Sequence, residues 1–256
     1  MISRHGLRVR LPRAIAVHDP AAPAGSGPIV LVLPAHDEAP RIGAVLERVP
    51  ADVAGHPVIV VVVDDGSTDG TAEVARAAGA ELVAHPGNLG LGAAVRTGLA
   101  AAVVRNPVAV AFCDADGEYA PEELGRMVAP ILEGRADYVV GSRFTGHIRR
   151  MRPHRRAGNR VLTAMLAWVA RNPITDGQSG YRAVAPWAAA TAEIIHDYNY
   201  AQVLTLDLLA KGARYTEVPI SYGFRQSGRS FVRLGRYLRR VVPAVHRELN
   251  APLEPR

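Results

Sequence analysis

The chain contains an unbroken apolar run, Val58-Ile59-Val60-Val61-Val62-Val63, which stops at Asp64-Asp65-Gly66-Ser67-Thr68-Asp69-Gly70-Thr71 and gives way to an Ala-rich stretch of helical composition. A strand with one wet face alternates apolar and polar residues. A strand covered on both faces of a parallel sheet reads instead as continuous Val and Ile. The same order of strand, acidic loop and helix occurs earlier, where Ile29 to Leu33 ends in Pro34-Ala35-His36-Asp37-Glu38. A third apolar run closes at Phe112-Cys113-Asp114-Ala115-Asp116-Gly117-Glu118. Ligands of open parallel sheets bind beyond the carboxyl ends of the strands. Three strands are therefore expected to deliver acids to one rim, with Asp65 and Asp116 on the same edge.

The last of these segments points to a divalent cation. In extended backbone alternate side chains leave the same face, so Asp114, Asp116 and Glu118 are expected to converge on one hard ion. Magnesium or manganese, shared between carboxylates and substrate phosphates, fits that donor set. The bland alternative is a solvated acidic turn, and Asp64-Asp65-Gly66-Ser67 has its own bland reading as a turn with a helix cap. His36 and His147 read as polar loop residues, because no second histidine or cysteine stands at zinc spacing.

Taken together, Leu33-Pro34-Ala35-His36-Asp37-Glu38, Val63-Asp64-Asp65-Gly66-Ser67-Thr68-Asp69-Gly70-Thr71, Asn88-Leu89-Gly90, Asp114-Ala115-Asp116-Gly117-Glu118 and Gly141-Ser142-Arg143-Phe144 resemble one family in its own motif order. They are similar to the inverting family 2 glycosyltransferases of the GT-A fold, in the dolichyl-phosphate mannose synthase-like branch, across roughly residues 29 to 234. The resemblance implies a single α/β domain built on a mostly parallel sheet flanked by helices. It also implies transfer of a sugar from a nucleotide diphosphate donor, GDP-mannose or a UDP-sugar, to a polyprenyl phosphate, with Mn2+ or Mg2+ at the acid motif.

Carried over residue by residue, Pro34, His36, Glu38 and Val63 match positions around the donor's nucleoside, with His36 where relatives often have Tyr. Asp65 matches the acid that contacts the base. Asp114, Ala115 and Asp116 match the nucleotide and metal segment, and Glu118 replaces a usual Gln. Arg143 and Arg225 match the phosphate-binding arginines and, with Asp116, the expected catalytic set. The later pattern reads Arg225-Gln226-Ser227-Gly228-Arg229-Ser230-Phe231 and lacks the family's lysine; Arg229 or Arg233 is a candidate substitute. Arg156-Ala157-Gly158-Asn159 and Asp176-Gly177-Gln178-Ser179-Gly180-Tyr181-Arg182 resemble acceptor-side motifs, which assigns Arg156 and Ser179 to acceptor binding. Glu217-Val218-Pro219-Ile220 matches the strand before the second arginine. Relatives carry a helix glutamate between Gln202 and Gly212; this chain has Val203 and Leu204 there, and its only acid is Asp207.

A phosphate monoester acceptor is already ionised near neutral pH, since its second pKa is about 6, and needs no general base. A hydroxyl acceptor needs one, for which Asp207, Asp176 and His147 are the available groups. The alternatives are a soluble small-molecule or natural-product acceptor, and a nucleotide-sugar-binding module that has lost catalysis. Gly90-Leu91-Gly92-Ala93-Ala94-Val95 only loosely matches a dinucleotide fingerprint, and a nicotinamide enzyme has no need of Asp114, Asp116 and Glu118 together.

Composition sets the remaining bounds. At 256 residues and 48% hydrophobic the chain suffices for one large α/β core. The net charge of +6 points to an anionic partner without choosing among nucleotide, lipid surface and nucleic acid; no nucleic-acid partner is expected. A lone Cys113 excludes an internal disulfide and suits a reducing cytoplasm. Residues 1–28 read as a tail without signal-peptide character, residues 29–228 as the catalytic domain and residues 229–256 as a basic amphipathic helix and tail. In that last segment Phe231, Leu234, Leu238, Val241, Val242, Val245 and Leu249 recur near helical spacing among arginines, as in a helix packed on the domain's own core with its arginines outward, or in one lying on an anionic leaflet. Peripheral contact with the inner face of the membrane is the expected alternative to a freely cytoplasmic protein. No run reaches the roughly 20 apolar residues of a spanning helix; Val161 to Val169 is too short. The sequence carries no signal for oligomeric state.

Overall fold

The computed structural model describes residues 26–149, 151, 153–195 and 200–223. The expected runs form the centre of one sheet. β1 (Ile29–Ala35) pairs in parallel with β3 (His56–Asp64) and with β5 (Ala109–Phe112). The register sets Ile29 beside both Val58 and Ala109, and Ala35 beside Asp64. β1 is buried along its whole length, which is why it shows no alternation.

β4 (Glu81–Ala84) adds a parallel strand outside β3, and the short β2 (Asp52–Val53) pairs antiparallel with the start of β3. On the other side of β5 lies β7 (Arg182–Val184), antiparallel to both β5 and β6 (Tyr138–Ile148). β8 (Tyr215–Tyr222) closes the edge parallel to β6, with a register shift between Ser142 and His147. Reading across, the order is β2-β3-β1-β5-β7-β6-β8, with β4 also on β3. All strands but β2 and β7 run the same way, so the sheet is mostly parallel as expected.

Crossover helices cover the faces. α1 (Ala39–Leu46), α2 (Thr71–Ala77) and α3 (Leu91–Val103) follow the first three acidic or glycine-bearing loops, and a 3-10 turn (Pro121–Glu123) leads into α4 (Leu124–Leu132). α5 (Pro153–Ala170), α6 (Pro186–Thr191) and α7 (Tyr200–Ala210) belong to the second half. Ile29, Leu31, Leu33, Phe112, Leu124, Met127, Leu204 and Leu208 are all fully buried. Each such side chain contributes about 1.5–3 kcal/mol of burial free energy, enough to make the sheet a rigid platform for the loops at its carboxyl edge. Cys113 is buried in this core, and burial pushes its thiol well above the usual range.

The expected C-terminal amphipathic helix, Arg225 and nearly all of the expected N-terminal tail lie outside the described residues. No helix among the described residues is long and apolar enough to cross a membrane.

Candidate active site

The loops after β1, β3, β4 and β5 meet at one rim. Asp65 is the hub. Its carboxylate is buried and accepts hydrogen bonds from His85 Nδ1 at 2.7 Å and Leu89 N at 2.8 Å on Oδ1, and from Gly90 N at 2.8 Å on Oδ2. Burial alone would raise its pKa; the bonds from His85, Leu89 and Gly90 outweigh burial and hold it below the ordinary carboxylate value. His85 Nε2 in turn meets Thr97 Oγ1 at 2.9 Å, tying the hub to α3. The expected base-contacting acid is thus also what folds the Asn88-Leu89-Gly90 loop.

The β1 and β3 loops are stitched to each other. Thr71 Oγ1 receives Glu38 N at 2.8 Å, Asp69 receives Ala39 N at 3.1 Å and Asp37 receives Thr68 N at 2.9 Å. His36 Nδ1 lies 2.8 Å from the Asp65 carbonyl, and Glu38 is buried with Arg41 Nη1 at 2.6 Å on its Oε2. Pro34 and Val63 are buried neighbours in register. Pro34, His36, Glu38, Val63 and Asp65 therefore belong to one wall.

The acid motif departs from expectation in its backbone. β5 ends at Phe112, and residues 114–118 form a turn instead of continuing extended. Asp116 Oδ1 accepts from Glu118 N at 3.0 Å, and Gly117 takes φ 77°. Strand alternation therefore does not place the three acids on one face: the side chain of Asp116 captures the amide two residues on, a local bond that competes with extended backbone. No three His, Cys, Asp or Glu side chains among the described residues are gathered in an arrangement able to hold a metal ion. Ala115, also expected at the nucleotide, is buried, and its amide reaches the Pro34 carbonyl at 3.4 Å.

The charge balance at the turn still suits a cation. Burial first, and then the neighbouring Glu118 carboxylate, push Asp114 up to about 6, with Arg143 drawing it partly back. The part of that rise due to Glu118 is repulsion between two carboxylates, which a divalent ion can neutralise. Mg2+ in particular is commonly held by one or two carboxylates plus substrate phosphates. Asp114, Asp116 and Glu118 fit such a site as contributors, not as a complete cage.

The second half of the chain closes on this turn. Gly180 packs against Asp114 so tightly that a Cβ there would lie 2.7 Å from Asp114 Oδ2 and 3.2 Å from the Tyr119 ring. Gly180 N donates to Tyr119 Oη at 2.7 Å. Tyr222, the last residue of β8, donates its hydroxyl to Glu118 Oε2 at 2.5 Å, and Gly223 N reaches the Glu118 carbonyl at 2.8 Å.

Arg143 is no exposed phosphate finger. It is 5% exposed, and Nε and Nη2 grip Asp176 Oδ2 and Oδ1 at 2.7 and 2.8 Å in a bidentate pair. Its guanidinium also lies 5.1 Å from the centre of the Tyr222 ring. Asp176, fully buried and spent on this pair, is not disposed to act as a base. Glu217 receives Thr175 N at 2.9 Å and Asp176 N at 3.2 Å, and so anchors the loop from β8.

Ser179 is fully buried, and its hydroxyl accepts from Tyr181 N at 3.3 Å; Arg156 is exposed on α5. The two expected acceptor residues thus differ sharply in environment. Asp207 pairs with Lys211 at 2.7 Å and receives Glu193 N at 2.9 Å, and His147 is exposed on β6.

Sequence reasoning missed His85, Thr97, Gly180, Tyr119, Tyr222 and Arg182. Arg182 is fully buried and holds the 177–180 loop through Nε on the Ser179 carbonyl at 2.8 Å and Nη2 on the Gly177 carbonyl at 3.1 Å. It also bonds the Tyr138 hydroxyl and, at 2.8 Å, the Ala201 carbonyl. Only Gly180 and Arg182 carried a signal, as members of the Ser-Gly-Tyr-Arg motif.

Comparison with known proteins bears on the family and the fold. The family Glycosyl transferase family 2 matches residues 30–184. The polyprenol monophosphomannose synthase of Mycolicibacterium smegmatis is 30% identical over 225 residues, covering 83% of this chain and 84% of the relative. A UDP-N-acetylglucosamine–dolichyl-phosphate N-acetylglucosaminyltransferase of Methanococcus voltae is 30% identical, covering 75% and 84%. Among solved structures, glucosyl-3-phosphoglycerate synthase from Mycobacterium tuberculosis, in complex with Mn2+, UDP and glucosyl-3-phosphoglycerate, is 25% identical. It superposes with a TM-score of 0.68 over 94% of this chain and 89% of that one; another structure of the same enzyme holds Mg2+ and UDP.

Proposed function

The chain belongs to Glycosyl transferase family 2 and is a glycosyltransferase, and from that premise we propose that it moves a sugar from a nucleotide diphosphate donor to a polyprenyl phosphate. The observation that carries this reading is the single rim at which the Asp65 hub, the 114–118 turn and the Arg143–Asp176 pair meet. The donor's nucleoside would lie along Pro34, His36, Glu38, Val63 and Asp65, with its diphosphate toward Asp114 and Asp116. A bound Mn2+ or Mg2+, held by Asp116 with Asp114 or Glu118, would supply positive charge to the leaving diphosphate.

The chain's own residues then do the rest. Arg143 is fixed by Asp176 and sits close enough to Asp114 to act on its charge. A preorganised cation of this kind stabilises negative charge as it develops on the leaving group and costs no reorganisation. The acceptor oxygen attacks the anomeric carbon from the face opposite the diphosphate, the bond to the diphosphate oxygen breaks, and the sugar's configuration inverts. With a phosphate acceptor no proton has to be removed, consistent with the commitment of Asp176 and Asp207 to ion pairs.

A second reading, transfer to a soluble phosphorylated acceptor, is favoured by one observation: the similarity to glucosyl-3-phosphoglycerate synthase extends over nearly the whole chain. A thermal-shift panel of GDP, UDP and their sugar conjugates, with and without Mn2+, on wild type and Asp116→Ala tests donor binding. Ligand at about a hundredfold over Kd adds roughly 2.7 kcal/mol. A metal-dependent shift lost in the variant supports the donor site, and its absence in folded protein refutes it. Labelled sugar is then followed into the organic or the aqueous phase, with dolichyl phosphate and 3-phosphoglycerate as competing acceptors.

A further inference from the structure

α5 has two apolar faces, and among the described residues only one of them is packed. Thr163 and Leu166 are buried, with Leu166 lying under Gly177, where an added Cβ would meet it at 2.6 Å. This inner face backs the 176–180 loop of the candidate site. On the opposite side Val161, Met165 and Trp168 are 61%, 56% and 82% exposed. Their spacing of four and three residues puts them on one stripe, and Ala157 and Ala164, also exposed, widen it. Seven large hydrophobic side chains are exposed among the described residues, and three of them fall here.

The surroundings of the stripe carry one sign of charge. From Tyr138 to Thr175 there is no Asp or Glu, while Arg143, Arg149, Arg150, Arg152, Arg155, Arg156, Arg160 and Arg171 fall in the same stretch. Arg149, Arg156, Arg160 and Arg171 are exposed, and Arg160 lies over the Phe144 ring at 5.7 Å, close by the stripe. A basic rim around an apolar face that carries Trp is the pattern of a helix lying in the plane of an anionic bilayer surface. A nucleic acid would use the arginines and leave Val161 and Met165 unexplained.

We propose that the outer face of α5 docks on an anionic lipid surface, with Trp168 and Met165 entering the headgroup boundary and the arginines meeting lipid phosphates. This deepens the lipid-acceptor reading, since the helix's inner face backs the candidate site. Its test uses vesicles free of polyprenyl phosphate, so the docking and the acceptor assignment can fail separately.

The full chain is mixed with phosphatidylcholine vesicles with and without phosphatidylglycerol. Co-sedimentation is expected only with the anionic vesicles, and Val161→Ser with Met165→Ser and Trp168→Ser is expected to abolish it. Arg160→Gln with Arg171→Gln lowers the partition coefficient roughly 25-fold, at about fivefold per basic residue. In a Trp187→Phe background Trp168 is the remaining tryptophan, and lipids brominated in the acyl chain are expected to quench it. Sedimentation without quenching, or unchanged by the triple serine variant, overturns the proposal by placing the contact elsewhere. A dimer in sedimentation velocity that the triple variant dissolves also overturns it, by assigning the face to a second copy of the chain.

Discussion

Removing the Asp176 carboxylate is the sharpest test of how the second half of the site is held. In Asp176→Ala the Arg143 guanidinium, 5% exposed, loses its bidentate partner, and the amides of Arg143 and Gln178 lose their acceptor at 3.0 and 3.3 Å. Breaking a buried ion pair from one side costs about 3–5 kcal/mol, because a desolvated charge is left unpaired. At 2–4 °C per kcal/mol for a chain of this size, the melting temperature falls roughly 6–20 °C. Arg143→Met combined with Asp176→Leu removes both charges. It retains only the cost of the two orphaned amides, about 1–3 kcal/mol each by the same logic as any unmet buried donor. Urea melts of wild type, Arg143→Met, Asp176→Leu and the double variant close the cycle. A loss below 1 kcal/mol in Asp176→Ala, or a double variant as unstable as the sum of the singles, would refute the account of Arg143 as a buried, pair-dependent cation.

Three further outcomes follow from the same geometry. His85→Ala removes one of three donors to Asp65 and weakens nucleotide binding by about 1–3 kcal/mol, measured by titration; His85→Asn, which can still donate, recovers part of it, and equal affinity in all three proteins would show that His85 does not position the hub. Asp114 titrates near 6 in the fold, above the ordinary value of 3.8, so between those values the folded state binds more protons than the unfolded state, and stability falls as pH rises through that window by up to about 1.4 kcal/mol per unit. Asp65, Asp69 and Asp137 are shifted down and give the opposite slope, so the diagnostic is the difference between wild type and Asp114→Asn in melts at pH 4 to 7; parallel profiles would contradict the assignment. Gly180→Ala forces a methyl to 2.7 Å from Asp114 Oδ2, costs about 1–3 kcal/mol as overpacking does and lowers turnover; unaltered stability and activity would mean that the loop yields freely.

The sheet was legible because burial on both faces leaves its mark on every residue of a strand. Ile29 to Leu33 and Val58 to Val63 carry no polar position to lose, and parallel strands bring their loops to one edge whatever the loops contain. The turn at Asp114 was not legible. Alternation holds only while the backbone stays extended, and Asp116 replaces that geometry with a bond to an amide two residues away. His85 escaped for another reason, and so did the pairing of Asp176 with Arg143: these contacts span 20 and 33 residues respectively, and nothing local in a loop histidine or aspartate announces a distant partner. On α5 the apolar run Val161 to Val169 was legible only as too short to span a membrane; which of its side chains a neighbour covers is set by the fold. The missing helix glutamate and the commitment of Asp207 to Lys211 are compatible with a reaction that needs no base.

The contact between Tyr222 and Glu118 has a thermodynamic consequence. Glu118 belongs to the turn where the donor's diphosphate is proposed to sit, while Tyr222 ends the strand that supports Asp176 through Glu217. A donor that displaces Glu118 must also disturb the hydroxyl bonded to it and the ring beneath Arg143. The two halves therefore share one free-energy surface, and linkage makes any such coupling symmetric. Whatever factor the donor adds to acceptor affinity, the acceptor must return to donor affinity, and Tyr222→Phe is the substitution that should reduce both by the same ratio.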